Sequence, residues 1–318
     1  DKGLHIRLLW HVFMFKAIAE KAKCDVVFAP GGTDLSGFNP SVTMSRNMLP
    51  FEKDEADRYR SFFMRVKFFL LRKSWKISYK RTNGLIFLTK YAGKIISRKK
   101  NIYLPSGTKI VPHGVDARFF NSDTHLTRKD FTFNSPCRLI YVSIVDPYKH
   151  HWNVVHAVGS LRASGIPVVL DLVGPPGESL DRLKSAIHLV DPTNEFVNYL
   201  GSVPHESLQN YYKSADIGVF ASTCENMPNI LLEMMASGLP VASSHFGPMP
   251  EILGEDGTYF NPLDIDSISS SIAALYISPE KRSLQRDSNI RKARELSWER
   301  CADSTLDFLV ETHINFKQ

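Results

Sequence analysis

The alternation of two apolar periods is the feature that most constrains what this 318-residue chain can fold into. Short apolar runs closed by loop residues read as buried strands: Asp25-Val-Val-Phe-Ala-Pro30, Ser41-Val-Thr-Met-Ser45, Gly84-Leu-Ile-Phe-Leu-Thr89 and Lys109-Ile-Val-Pro112. Residues 54–81 and 90–98, between them, carry helical spacing. A polar stretch without period, 121–136, reads as a linker, and the rhythm then restarts. Strands are expected at 138–145, 167–173, 196–200, 217–221, 240–243 and 257–260. Helices are expected between them at 152–163, 178–187, 206–214, 228–237 and 249–253, and nearly all of the chain from 264 onward reads as helix. Strands separated by helical crossovers imply mostly parallel sheets with both faces covered. The expectation is an α/β chain of two doubly wound, Rossmann-like domains, at 1–120 and 137–296, with a final helix at 297–318 returning to the first. Ligands in such folds bind at the carboxyl ends of the strands.

Composition narrows the class. Hydrophobic content of 43% and charged content of 23% are those of a globular protein, with room for two cores at this length. Cys24, Cys137, Cys224 and Cys301 are scattered without metal-ligand spacing, which points to a reducing compartment such as cytosol. No run is long and apolar enough to span a membrane, and the opening Asp-Lys-Gly-Leu-His has no leader pattern. Without an initiator Met, a segment upstream of Asp1 is expected. The net charge of +6 is unevenly spread: from Arg58 to Val115 there is no Asp or Glu, while Arg65, Lys67, Arg72, Lys73, Lys76 and Lys80 lie in that stretch. That asymmetry points to an anionic partner for the N-terminal part.

The segment Cys224-Glu225-Asn226-Met227-Pro228-Asn229-Ile-Leu-Leu-Glu233-Met-Met-Ala-Ser-Gly238-Leu-Pro240 is the most informative. Pro228 suits a first helical turn, and Gly238 with Pro240 ends the helix. A helix beginning beside a strand's carboxyl end offers backbone N–H groups to a diphosphate. Glu225 in the loop and Glu233 in the helix offer two carboxylates to one hydroxyl-rich ligand. On spacing alone, a solvated loop acid and a helix-surface charge fit as well or better.

Glu225-x7-Glu233 in this setting closely resembles the donor-site signature of family-4 glycosyltransferases, retaining enzymes of the GT-B fold. Further stretches fit the same family in the same order: Tyr141-Val-Ser-Ile-Val-Asp-Pro-Tyr-Lys149, Leu172-Val-Gly174-Pro, Tyr199-Leu-Gly-Ser202-Val203-Pro, Tyr211-Tyr-Lys-Ser-Ala-Asp216 and Gly247-Pro-Met-Pro-Glu251. Val111-Pro-His113-Gly-Val-Asp116 resembles the family's hinge-side motif, and the likeness runs from about residue 30 to the end. It implies two facing domains with a cleft between them and a nucleoside-diphosphate sugar as donor substrate, with no further cofactor and no metal. Glu225 would bind sugar hydroxyls, Glu233 the ribose, and the backbone of Asn226, Met227, Pro228 and Asn229 sugar and phosphate. Lys149 would neutralise the departing diphosphate, and Gly174, Ser202 and Val203 would lie beside the base. The chain departs from the family at Ile144, where an arginine is usual, and at Ser45-Arg46-Asn47, where a histidine is usual. Arg46, Asn47 and His113 are the candidate acceptor-side or sugar contacts. The family's Gly-rich loop is expected upstream of Asp1.

Other signals have plainer readings. Asp264-Ile-Asp266 opens a helix, where acids satisfy free N–H groups, and is not taken as a metal motif. His150-His151 has no third ligand at zinc spacing and suits helix-start contacts. The basic helical stretch 58–80, with Phe62, Phe63, Phe68, Phe69, Leu70 and Trp75, must bury one stripe, and its remainder suits anionic lipid. No nucleic-acid recognition motif accompanies the charge, so nucleic acid is not an expected partner. The resemblance makes the chain a retaining, metal-independent glycosyltransferase, of hexoses by preference, with an envelope-glycan or polyprenyl-diphosphate-linked acceptor, as in lipopolysaccharide assembly. It would work in the cytoplasm, peripherally on the inner face of the membrane. A non-catalytic sugar-nucleotide or glycan-binding protein and a nucleotide-sugar epimerase of the same fold are the alternatives.

Overall fold

The computed structural model describes residues 10–120 and 130–317. The chain divides into two units, Asp1–Gly114 with Trp298–Gln318, and Val115–Ser297. Residues 121–129 of the expected linker lie outside the described residues.

In the first unit, β1 (Val27–Ala29), β2 (Ser41–Ser45), β3 (Gly84–Phe87) and β4 (Gly107–Ile110) form a parallel sheet in that order. β2 and β3 are buried along their whole length, as a parallel sheet covered on both faces requires. Its helices are α1 (Phe15–Lys21), α2 (Lys53–Ala56), α3 (Phe62–Arg81) and α4 (Lys90–Ser97). The C-terminal helix, Trp298–Lys317, belongs to this unit and buries Phe308 and Thr312 against Gly84, where an added Cβ would lie 3.0 Å from both side chains. Thr89 caps α4 by accepting from the Ala92 N–H at 3.1 Å.

Two features of this unit differ from the sequence reading. The helical pattern over 54–81 is two helices, because Tyr59 leaves the helix to bury its ring edge-on against Phe68 at 5.1 Å. The Arg65 side chain donates to the carbonyl of Tyr59 at 3.2 Å and satisfies the broken backbone there. No element was expected before Asp25, yet α1 is helical. Its buried contribution is Ala19, so it carries little of the apolar stripe by which helices are recognised.

In the second unit, β5 (Cys137–Val142), β6 (Val168–Val173), β7 (Val197–Gly201), β8 (Ile217–Phe220), β9 (Val241–Ser244) and β10 (Thr258–Phe260) make one parallel sheet. The helices are α5 (His151–Ala163), α6 (Leu180–Val190), α7 (Leu208–Ser214), α8 (Asn229–Ala236), α9 (Met249–Leu253), α10 (Ile265–Tyr276) and α11 (Pro279–Arg294). Across the sheet the order is β7-β6-β5-β8-β9-β10, the doubly wound arrangement in which the chain reverses its direction of travel between β5 and β8. Loops leaving those two strands diverge and open a crevice at their carboxyl ends. Asp264 opens α10 by accepting from the N–H groups of Asp266 at 3.0 Å and Ser267 at 3.2 Å, a helix cap as its position suggested.

Gly174 shows how closely the loops after β5 and β6 meet. Its φ is +148°, and a Cβ there would lie 2.0 Å from the Ser143 carbonyl oxygen. Its N–H donates to Gly201 O at 2.8 Å, and its carbonyl accepts from the Tyr199 hydroxyl at 3.1 Å. Gly174→Ala is expected to cost about 3 kcal/mol or more, from overpacking plus backbone strain. Urea denaturation measures it, and an unchanged midpoint would contradict the close approach.

Candidate active site

The loop after β5 delivers Lys149. Asp146, Pro147 and a short 3-10 turn at Pro147–Lys149 lead to His150, whose left-handed backbone (φ 50°) breaks the chain's direction before α5 begins. The Lys149 side chain is 9% exposed, so its charge needs a partner close by. That partner is Glu225, from the loop after β8, with which Lys149 Nζ forms an ion pair. The Lys149 ammonium also stands 4.9 Å from the Tyr148 ring centre and 5.3 Å from that of Phe220, where both ring faces favour a cation.

A second layer holds the two loops in register. The buried Tyr141 hydroxyl donates to the Lys149 carbonyl at 2.7 Å. Thr223 donates its N–H to Tyr148 O at 2.9 Å, and its hydroxyl meets His150 Nε2 at 3.2 Å. His151 is 1% exposed, stacks on Tyr141 at 4.5 Å and meets the Ser143 hydroxyl at 3.0 Å. Burial first, then the charge of Lys149, hold the His151 pKa down to about 3, so it is neutral near neutral pH. The two histidines stand at the start of α5, as expected, and from there also brace the loops after β5 and β8.

Glu233 lies on α8, buried, and is met from two sides. His205 Nε2 meets its Oε1 at 2.8 Å, and the Tyr212 hydroxyl donates to its Oε2 at 3.2 Å. Desolvation raises the Glu233 pKa above the ordinary carboxylate range, against the opposing pull of His205, Tyr212 and Arg118. Behind it Arg118 bonds to His205 Nδ1 at 2.6 Å, and Phe119 packs on both His205 and Tyr212 at 5.5 and 5.9 Å.

Of the residues singled out by sequence, Lys149 and Glu225 are in direct contact, and Asn226, Met227 and Pro228 are buried in the loop between Glu225 and α8. Asn229 is the first residue of α8 and is exposed. Gly174 is buried at the end of β6, while Ser202 and Val203 follow β7, the first exposed and the second half-buried. Arg46, Asn47 and His113 belong to the other unit. There Arg46 and Asn47 are exposed, and Asn47 Oδ1 accepts from the Leu49 N–H at 2.9 Å; His113 is buried beside the Trp298 ring at 5.4 Å. Sequence reasoning missed Arg118, His205 and Tyr212, and it gave His150 and His151 too small a part. Their partners are distant in sequence, His150 meeting Thr223 across 73 positions, so no local spacing marks them.

The raised Glu233 pKa has a sign that can be checked. Because the folded chain favours the protonated carboxyl, stability from this group is full below the ordinary carboxylate range and is lost as pH rises through the raised value. Glu233→Gln removes that loss. The difference in Tm, variant minus native, should therefore grow as pH rises above the ordinary carboxylate range; calorimetric melts across pH 4–8 test it, and a difference that shrinks with rising pH would contradict the assignment.

Residues 136–278 match the family described as glycosyl transferases group 1. The O-antigen chain mannosyltransferase B of Escherichia coli is 32% identical over 112 residues, covering 35% of this chain and 29% of that protein. The MMP alpha-(1->4)-mannosyltransferase of Mycolicibacterium hassiacum is 28% identical over 209 residues, 64% of this chain and 48% of that protein. The chain thus spans about half or less of the length of these curated relatives. Among solved structures, a sucrose-phosphate synthase from Thermosynechococcus elongatus superposes with TM-score 0.77 at 18% identity, covering 98% of this chain and 79% of that one. Anabaena HepE in complex with UDP superposes with TM-score 0.74 at 13% identity, covering 93% and 81%. At those identities the likeness establishes the fold, which is GT-B. Residues 136–278, with the paired Lys149 and Glu225 at the turning point of their sheet, are a domain of the glycosyl transferases group 1 family.

Proposed function

We propose that the protein is a retaining glycosyltransferase that takes a hexose from a nucleoside-diphosphate donor. The observation that carries this reading is the contact of Lys149 with Glu225 across the β5/β8 switch point. It puts a cation and a hydroxyl-accepting carboxylate at the crevice where doubly wound sheets bind nucleotides. In this reading the bond between the sugar's anomeric carbon and the diphosphate oxygen breaks. The acceptor's hydroxyl oxygen takes the vacated position on the same face, and its proton leaves with the diphosphate. Lys149 neutralises the charge that develops on the leaving diphosphate, aided by the positive end of α8. Glu225 holds sugar hydroxyls and Glu233 the ribose. The pair also explains how a buried lysine is kept ready: Glu225 balances it until the diphosphate competes for the same ammonium. With Lys149 carrying that charge, the reading needs no metal ion.

For the acceptor we propose an envelope glycan or a polyprenyl-diphosphate-linked glycan, which the O-antigen relative supports. A complete chain, including any upstream segment, should release nucleoside diphosphate when given the correct nucleotide sugar and acceptor. Lys149→Ala is expected to lower kcat about 100-fold or more, the scale of losing one charge-stabilising group. Wild-type protein that binds nucleotide sugars but transfers none, or converts donor without acceptor, would favour a binding protein or an epimerase instead.

We also propose that the first unit works on the inner, anionic face of the cytoplasmic membrane. α3 buries Phe68, Trp75 and Tyr79, yet leaves Phe62, Phe63, Phe69 and Leu70 between 56 and 83% exposed among Arg65, Lys67 and Lys73. Apolar rings flanked by cations suit a charged lipid surface, at about 1 kcal/mol for each Lys or Arg near it. No helix among the described residues is long and apolar enough to cross a membrane. Flotation with vesicles rich in phosphatidylglycerol should carry the protein, and neutral vesicles should not. Replacing Phe62 and Phe63 with serine should weaken binding about tenfold or more, given the apolar area each ring would bury. Equal binding to both vesicle types would contradict the proposal.

A further inference from the structure

Glu233 is set for its ligand by a chain of groups that begins outside the Glu225-x7-Glu233 segment. Arg118 follows the expected hinge-side motif, and His205 begins a 3-10 turn after β7. Guanidinium nitrogens only donate, so where Arg118 bonds to His205 Nδ1 at 2.6 Å that ring nitrogen must accept. That leaves Nε2, the nitrogen that faces Glu233 Oε1 at 2.8 Å, as the one that donates. Arg118 thereby fixes the tautomer that can donate to the carboxylate. The opposite tautomer would set a lone pair against Oε1. Phe119 supports this geometry from behind, with its ring against both His205 and Tyr212 and the Arg118 guanidinium 5.2 Å from its centre.

The arrangement leaves Glu233 half used. A carboxylate offers about four lone-pair positions on its two oxygens. His205 occupies one on Oε1 and the Tyr212 hydroxyl one on Oε2. One position on each oxygen remains, which matches the two hydroxyl donors of a vicinal diol. We propose that Arg118 and His205 are positioning residues that orient Glu233 to accept from both hydroxyls of a nucleotide's ribose, and so make the site selective for ribonucleotides over deoxyribonucleotides. The inference rests on the donor-site reading of Glu233. A purely structural role for His205 is a poor account, since its side chain is about half exposed and its removal opens no cavity in the core.

The test is calorimetric titration of the full chain with nucleoside diphosphates of the common bases, and with the 2′,3′-dideoxy form of whichever binds. His205→Ala and Arg118→Met should each weaken the ribonucleotide about tenfold, which is about 1.4 kcal/mol, and leave the dideoxy form unchanged. His205→Gln, whose amide can still accept from Arg118 and donate to Glu233, should keep wild-type affinity within about threefold, the small change left when both bonds survive. Equal losses on ribose and dideoxy nucleotides, or no loss on either, would overturn the positioning role while leaving the donor site standing. A wild-type chain that binds none of these nucleotides would overturn the donor-site reading itself, and this inference with it.

Discussion

Two charges largely taken out of water together, Lys149 and Glu225, join the loops at the switch point of the second unit's sheet. Neither would be tolerated there alone, because a buried unpaired charge costs several kcal/mol. They arise on the loops after β5 and β8, central strands that are neighbours in the sheet while their connections run to opposite sides. Such loops diverge by topology, and the pair ties them together across the gap. The surrounding contacts serve the same end: Tyr141 holds the Lys149 carbonyl, and Thr223 and His150 fasten one loop to the other. Neutral His151, packed between Tyr141 and Ser143, lets these contacts form without adding a second positive charge beside the lysine.

Glu233 is governed by a different balance. Its burial works against the charged form, yet accepting hydrogen bonds from ligand hydroxyls calls for a carboxylate. His205 and Tyr212 resolve the conflict by donating to it, at a remaining expense in stability. The proposed ribose-binding role of Glu233 would trade folding free energy for recognition. Glu225 of the loop-tying pair and the braced Glu233 lie at opposite ends of one short segment, 225–233, which explains why so much chemistry was concentrated in a single stretch of sequence.

The parallel sheets were legible because buried strands and amphipathic helices announce themselves by period, and β5–β10 fall where those periods change. Period fails where burial and helicity part company. Tyr59 is buried at a break within an apparently continuous helix, and α1 is helical with little of it buried. In α3 the adjacent rings of Phe68 and Phe69 have opposite fates, one buried and one exposed, and composition does not distinguish them. The site was legible where its residues share one segment, as Glu225 and Glu233 do, or stand at a recognisable loop, as Lys149 does. It was illegible where partners meet only in three dimensions. Nothing in the local sequence marks His205, because Arg118, which meets its ring, lies 87 positions earlier.

The central claim is that residues at the β5 and β8 strand ends converge on a single nucleotide. A crystal structure of the chain with a bound nucleoside diphosphate tests it most directly. The account predicts density for a diphosphate within hydrogen-bond reach of Lys149 Nζ and the start of α8, with both ribose hydroxyls on the Glu233 carboxylate. A nucleotide seated at another edge of the sheet, with the Lys149–Glu225 pair undisturbed and remote from it, would contradict the account.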